Sequence, residues 1–414
     1  MTPVDAPVVP RHLRELAGLT GDEDGAQRVA WTDRWVTARD WLRAQLAGIP
    51  GVEVHTDPAG NIWATLPGER ERSVVVGGHL DSVPNGGWLD GALNVTAALE
   101  VLRAVAAGPR PALTLRLVDW ADEEGARFGR SLVGSSACAG TLDPESLRGL
   151  SDRDGVALPD ALAAQGVELD RMLEAGAELR DVAAYLELHI EQGPVLERID
   201  RPLAVVTGIF GLQRHVVRFR GAHAHAGATP MDMRRDAFLA AARSAPAFRE
   251  TALRRPETRA TIGSVAVAPG IVTAFNGLCE LTLDQRAPDT GVVAEMVEEA
   301  REASLRIAGE EDCEVEWAPQ FAQEPVAFDA RLVESAAEVL EDLTGAPAPR
   351  LPSGPLHDAA EMARRVPAVM LFVRSIGGVS HTKDEDTSVE DLELSVRALH
   401  DLTLRTIEAP WTSA

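Results

Sequence analysis

Lysine is almost missing from this 414-residue chain: Lys383 is the single one, and arginine supplies the rest of the 40 basic residues. Against them stand 64 acidic residues, for a net charge of −24. That surplus argues against nucleic acid or anionic membrane as a partner. A small anionic substrate stays compatible, because local arginines and bound cations reverse the field inside a cleft. Cysteine is scarce too. Cys138, Cys279 and Cys313 are odd in number and unpatterned, which argues against a disulfide framework and for a reducing, cytoplasmic setting. No stretch approaches the roughly 18 apolar residues that cross a bilayer. The opening "MTPVDAPVVPRHLRELAGL" lacks the charged and apolar regions of a signal peptide. What remains, 45% apolar and 25% charged residues, suits a globular protein long enough for two domains.

Short apolar runs alternate with helical patterns. "SVVVGGHLDSV" reads as a buried strand ending at His79, Val95 to Ala107 as a helix, and "ALTLRLVDW" as the next strand. "VAAYLEL" before His189 and "AVMLFVRS" before His381 repeat the strand pattern. Arg28 to Leu46 carries tryptophans and aliphatics at helical spacing. Continuous apolar strands between helices predict an α/β domain with a mainly parallel sheet and helices on both faces. Near Gly208 the pattern shifts. "QRHVVRFRG", a helix over Asp232 to Arg254, "TIGSVAVA", "LCELTLDQR", a helix from Thr290 to Ile307 and "CEVEW" follow. The order β-α-β-β-α-β predicts a compact inserted α+β domain. The expected division is a catalytic domain of residues 1–209 and 326–414, interrupted by residues 210–325.

Ligands of open parallel sheets bind beyond the carboxyl ends of the strands. His79, Glu123, Glu124, His189 and His381 all follow strand ends, so distant parts of the chain can converge there. Imidazole and carboxylate are the ligand types of zinc, manganese, cobalt and nickel, and no thiolate singles out one of them. His79 suits one metal ion, with Asp81 two residues on orienting its ring. Asp90, in the Gly-rich "NGGWLDG", offers two oxygens that can bridge two ions. Glu123 and Glu124 are adjacent, so one can ligate while the other faces a bound water. Alone, each motif has a bland alternative: a surface pair, an acidic loop, a structural histidine. Their common placement at strand ends is what raises them. His225, in "GAHAHAGATPMDMRRD", can donate a hydrogen bond to a developing oxyanion. His357, in "SGPLHDAAEMA", is expected near the site, with helix capping as the competing explanation.

"GGHLDSVPNGGWLDGALNV", "DEEGARFGRSLVGS", "LELHIEQGPVLE", "HAGATPMDMRRDA", "LDQR" and "GVSH" follow one another in this order. Together they resemble the N-carbamoyl-L-amino-acid hydrolase and allantoate amidohydrolase branch of the aminoacylase-type metallopeptidases, across nearly the whole chain. The resemblance implies two divalent metal ions, zinc by preference, held by His79, Asp90, Glu124, His189 and His381, with Asp90 bridging. It implies Glu123 as general base and His225 as the oxyanion donor of a lid domain. Gln213, Asn276 and Arg286 match lid positions that grip the substrate. A homodimer joined through the inserted domain and a small carboxylate-bearing ureide or amide substrate are implied as well. Ala224, Asn94, Lys383 and the Pro355-Leu356 pair depart from the family pattern. Ala224 and Leu356 leave the substrate's identity open, between a carbamoyl amino acid, allantoate and an N-acyl amino acid or dipeptide.

Overall fold

The computed structural model describes residues 2–409. The chain divides into two compact units, one of residues up to 207, 327–351 and from 356 onward, the other of residues 208–326 and 352–355. Residues 352–355, expected in the first unit, belong to the second. Phe210 N donates to Ser353 O at 2.9 Å and the Arg286 guanidinium to Gly354 O at 2.8 Å, which ties this segment there.

The first unit is built on a nine-stranded sheet. Its four central strands, Ala368–Val373, Val182–Ile190, Arg70–His79 and Leu113–Trp120, run parallel in that spatial order. All four are buried towards their carboxyl ends, as strands covered on both faces must be. The parallel centre expected from the sequence is flanked by antiparallel strands: Ile62–Leu66 pairs with Leu113–Trp120, and Leu203–Ile209 with Ala368–Val373. The sheet is therefore mixed. Short connections such as the turn between Glu53–Thr56 and Ile62–Leu66 can join only antiparallel neighbours.

Register aligns the chemistry. His79 lies opposite Trp120, three residues before Glu123, and Phe372 lies opposite His189, so these strand ends share one rim. Helices Ala92–Ala106 and Val389–Glu408 pack on one face, Val133–Ala139 and Asp358–Met362 on the other.

The first tryptophan-bearing helix runs over Asp33–Ala47, later than Arg28. Thr32 caps it by accepting the Trp35 N–H, and Trp31 turns the chain at φ 64°. Arg28 is withdrawn from the helix to a fully buried position, where its Nε donates to Leu80 O at 2.8 Å.

In the second unit, Gly211–Arg220, Arg259–Ala268, Leu278–Ala287 and Glu314–Gln323 form an antiparallel sheet. Helices Ala237–Leu253 and Thr290–Glu310 pack on it, and Val217, Phe219, Phe248, Leu281 and Leu283 fill the core. Asp236 and Asp289 cap the two helices through their carboxylates. Among the described residues no helix is long and apolar enough to cross a membrane.

Candidate metal centre

Asp90 is the hub of the rim. Its Oδ1 lies 3.2 Å from His189 Nε2 and 3.9 Å from His79 Nε2, and its Oδ2 lies 3.3 Å from His381 Nε2. Glu124 Oε2 stands 3.6 Å from that same His381 nitrogen. The result is two clusters, His79–Asp90–His189 and Asp90–Glu124–His381, each with donor atoms within 4.8 Å of one another. They share only Asp90, one oxygen to each side. Three imidazoles and two carboxylates divided this way fit two divalent cations of the zinc, manganese, cobalt or nickel type.

The rings are aimed from behind. His79 Nδ1 lies 3.1 Å from the Asp81 main-chain oxygen, and His189 Nδ1 lies 2.8 Å from Ile190 O. With Nδ1 protonated towards a carbonyl, Nε2 keeps its lone pair for a cation on the Asp90 side. The Asp81 carboxylate has a different main task from the one its spacing suggested. At 3.5 Å from His79 Nδ1 it is the weaker ring partner, while its two oxygens accept the main-chain N–H groups of Glu123 (3.2 Å) and Glu124 (3.1 Å). Gly91, at φ 64°, starts the helix behind Asp90; a Cβ there would collide with the His79 ring. His381 holds φ 59°, a conformation costly for a non-glycine residue and common at functional sites.

Electrostatics shows a site that calls for positive charge. Burial opposes a charged His79, yet Glu123, Asp81 and Asp90 hold its pKa well above the ordinary value. His381 is raised to about 9, first by its hydrogen bond to Asp90. Burial, then Asp90, lifts Glu124 to about 7. Glu123 is pushed well above the carboxylate range by burial and by Asp358, Glu124 and Asp81, against the pull of His79. Its Oε2 lies 3.7 Å from His79 Nε2, and it belongs to neither cluster. His357 is buried with its ring 4.4 Å from that of His189, and burial with the neighbouring His189 charge drives its pKa well down. It occupies the N-cap position of Asp358–Met362 without a side-chain capping bond.

His225, Gln213, Asn276 and Arg286 all lie in the second unit. Arg286 donates to both oxygens of Asp284, at 2.7 and 3.3 Å, and Asp284 also binds Arg214. Gln213 pairs with Gln285 and so faces the helices, whereas Arg286 projects from the opposite face of the sheet. Asn276 Oδ1 accepts the Gly270 N–H at 3.0 Å, and the exposed His225 accepts the Gly227 N–H at Nδ1.

Two residues of the rim went unassigned in the sequence. Gln192, at φ 56°, places Nε2 2.7 Å from Asp90 Oδ2 and 3.3 Å from His381 Nε2. Its Oε1 is buried without a hydrogen-bond partner among the described residues. Its place in "HIEQGP", three residues after His189, was the available signal. Glu385 is 1% exposed, and its Oε1 accepts the N–H groups of Leu89 (3.0 Å) and Asp90 (2.9 Å). Gly87 has no room for a Cβ because the Glu385 carboxylate occupies that space.

The model of the peptidase family M20/M25/M40 matches residues 75–405. The N-carbamoyl-L-amino acid amidohydrolase of Geobacillus stearothermophilus is 37% identical over 379 residues, covering 91% of this chain and 92% of that protein. The allantoate amidohydrolase of Bacillus subtilis is 33% identical over 387 residues, covering 92% of each. A crystal structure of a hydantoinase/carbamoylase family amidase from Burkholderia multivorans superposes with a TM-score of 0.91 at 33% identity, over 99% of each chain.

Proposed function

Given that the chain belongs to the M20/M25/M40 peptidase family, in its carbamoylase and allantoate amidohydrolase branch, we propose that this C–N hydrolase cleaves the ureido group of an N-carbamoyl-L-amino acid. The products are the free amino acid, ammonia and carbon dioxide. One observation carries the reading: two ligand clusters meet on Asp90 while Glu123 stays outside both, beside His79.

His79, His189 and Asp90 Oδ1 would hold one divalent cation, and Glu124, His381 and Asp90 Oδ2 the other, with zinc preferred. The chemistry such a pair supplies when bound is polarisation of the scissile carbonyl and acidification of a water. Glu123 takes the proton of the attacking water and returns it to the leaving nitrogen. Burial and the neighbouring carboxylates that raise its pKa favour a carboxyl that can hold the proton between the two transfers. His225 donates to the oxyanion. Arg286, preset by Asp284, pairs with the substrate carboxylate, and Asn276 and His357 complete recognition, whereas Gln213, turned to the helices on the other face of the sheet, is withdrawn from that role. Gln192 stands by Asp90 as a further polar contact.

The second unit would serve as lid and as the joint of a homodimer. Support comes from its edge strand Arg259–Ala268 and the loop after it, where Val265, Val267, Ile271 and Val272 are exposed, Val272 to 99%. Such an edge invites pairing with a second chain. The reading includes a cytoplasmic location.

The second reading, allantoate hydrolysis, is supported by the Bacillus subtilis relative. The deciding experiment supplies chelator-stripped enzyme with Zn²⁺, Mn²⁺, Co²⁺ or Ni²⁺ and assays carbamoyl amino acids, allantoate and N-acyl amino acids. Free amino acid from the carbamoyl panel, with allantoate untouched, is the expected result. Turnover confined to allantoate or to N-acyl substrates overturns the first reading.

A further inference from the structure

Glu385 and Ser380 flank the shared ligand in a way that bears on the cation beside His381. Ser380 Oγ lies 2.8 Å from Glu385 Oε2 and 3.2 Å from Asp90 Oδ2, and it accepts from Gln192 Nε2 at 3.2 Å. A hydroxyl has one hydrogen and can satisfy one of those two carboxylates. Asp90 Oδ2 offers two lone-pair directions, and Gln192 already uses one of them. The second is the one a cation held with Glu124 and His381 needs.

We infer that Glu385 is a positioning residue that draws the Ser380 hydrogen to itself, so that Asp90 Oδ2 keeps a lone pair for the cation on the His381 side. The geometry favours this direction, since the Glu385 contact is the shorter by 0.4 Å (3.2 against 2.8 Å). The rest of the Glu385 carboxylate is arranged as an acceptor. Oε1 takes the Leu89 and Asp90 N–H groups and thereby fixes the main chain of Asp90 itself. The buried Arg28, whose largest charge interaction is with Glu385, donates to Leu80 O and lies 3.5 Å from Asp90 O. The two clusters are thus not equivalent: the Oδ1 side is independent of Ser380, and the Oδ2 side depends on where one hydroxyl points. This inference rests on the two-metal reading above.

Glu385→Gln tests it, because the amide oxygen can still accept the Leu89 and Asp90 N–H groups while its NH₂ now donates to Ser380 Oγ. The Ser380 hydrogen is then turned towards Asp90 Oδ2. Chelator-stripped wild type, Glu385→Gln, Ser380→Ala and the double variant are titrated with Co²⁺ by calorimetry and visible absorption. Glu385→Gln is expected to bind the first ion as wild type does and the second about 10–100-fold more weakly, the usual range for an outer-shell change. The double variant, with no hydroxyl to redirect, is expected to recover the second ion, and Ser380→Ala alone to retain both. The inference is overturned by wild-type titration of Glu385→Gln, by equal weakening of both ions, or by a double variant no better than Glu385→Gln. A tenfold loss of the second ion in Ser380→Ala also overturns it, and that variant leaves Glu385 intact should Glu385→Gln not fold. A wild-type chain that takes up fewer than two Co²⁺ ions sinks the two-metal reading instead.

Discussion

The main-chain N–H of Glu124 donates to Asp81 Oδ2 at 3.1 Å, and this bond sets the direction in which the glutamate pair leaves its strand. The other Asp81 oxygen accepts from Glu123, so one buried carboxylate aligns a candidate ligand and a candidate base together. Asp81→Ala would leave two buried N–H groups unsatisfied, each costing about 1–3 kcal/mol. We expect metal affinity to fall about 10–100-fold, read by calorimetry, with turnover falling alongside. Asp81→Asn, which keeps one acceptor, should fall between. An alanine variant with wild-type affinity and rate would remove Asp81 from the site.

Glu123 belongs to neither ligand cluster, so its loss should separate chemistry from metal binding. Glu123→Gln is expected to keep two ions per chain by elemental analysis while kcat falls about 10²–10⁴-fold. Loss of one ion in parallel would make Glu123 a ligand. Undiminished turnover would end its role as base.

Arg286 donates two bonds to Asp284 and a third to Gly354 O, which holds its two remaining N–H groups in a preset orientation for a carboxylate. Arg286→Lys keeps the charge but loses the fork. A charge-assisted hydrogen bond is worth about 1.5–3 kcal/mol, so kcat/KM should drop roughly ten- to hundredfold. The drop should shrink for a substrate amide lacking the carboxylate; an equal loss on both would assign Arg286 a structural role.

The strand Arg259–Ala268 is an exposed sheet edge with Val265 54% accessible. Inserting charge there blocks edge pairing, so Val265→Lys is expected to shift sedimentation from dimer to monomer without unfolding the second unit. A wild-type chain that sediments as a monomer would remove the edge as a dimer joint, and so would a variant that remains dimeric.

The shared rim of the candidate ligands was legible because strands announce themselves locally. Continuous apolar runs predict buried parallel strands, and the residues just past their ends must share a rim if the strands are neighbours. His79, Glu123 and His189 follow from that argument, and the register confirms their common edge. Where Ile62–Leu66 and Leu203–Ile209 join the central strands, and that they do so antiparallel, was not legible, because an apolar run carries no mark of its neighbour or direction. The helix start at Asp33 was obscured by Arg28, whose role is set by a carbonyl 52 positions away.

Local sequence determined which segments become strands and helices, and which side chains their ends present, since burial and periodicity act between near neighbours. Only the tertiary structure decided how those side chains are held. Glu385 meets Asp90 across 295 positions and Gln192 meets it across 102, and no spacing rule reaches that far. A hydrogen bond is decided over about 3 Å. Its partners are therefore known only once the whole chain has closed around them.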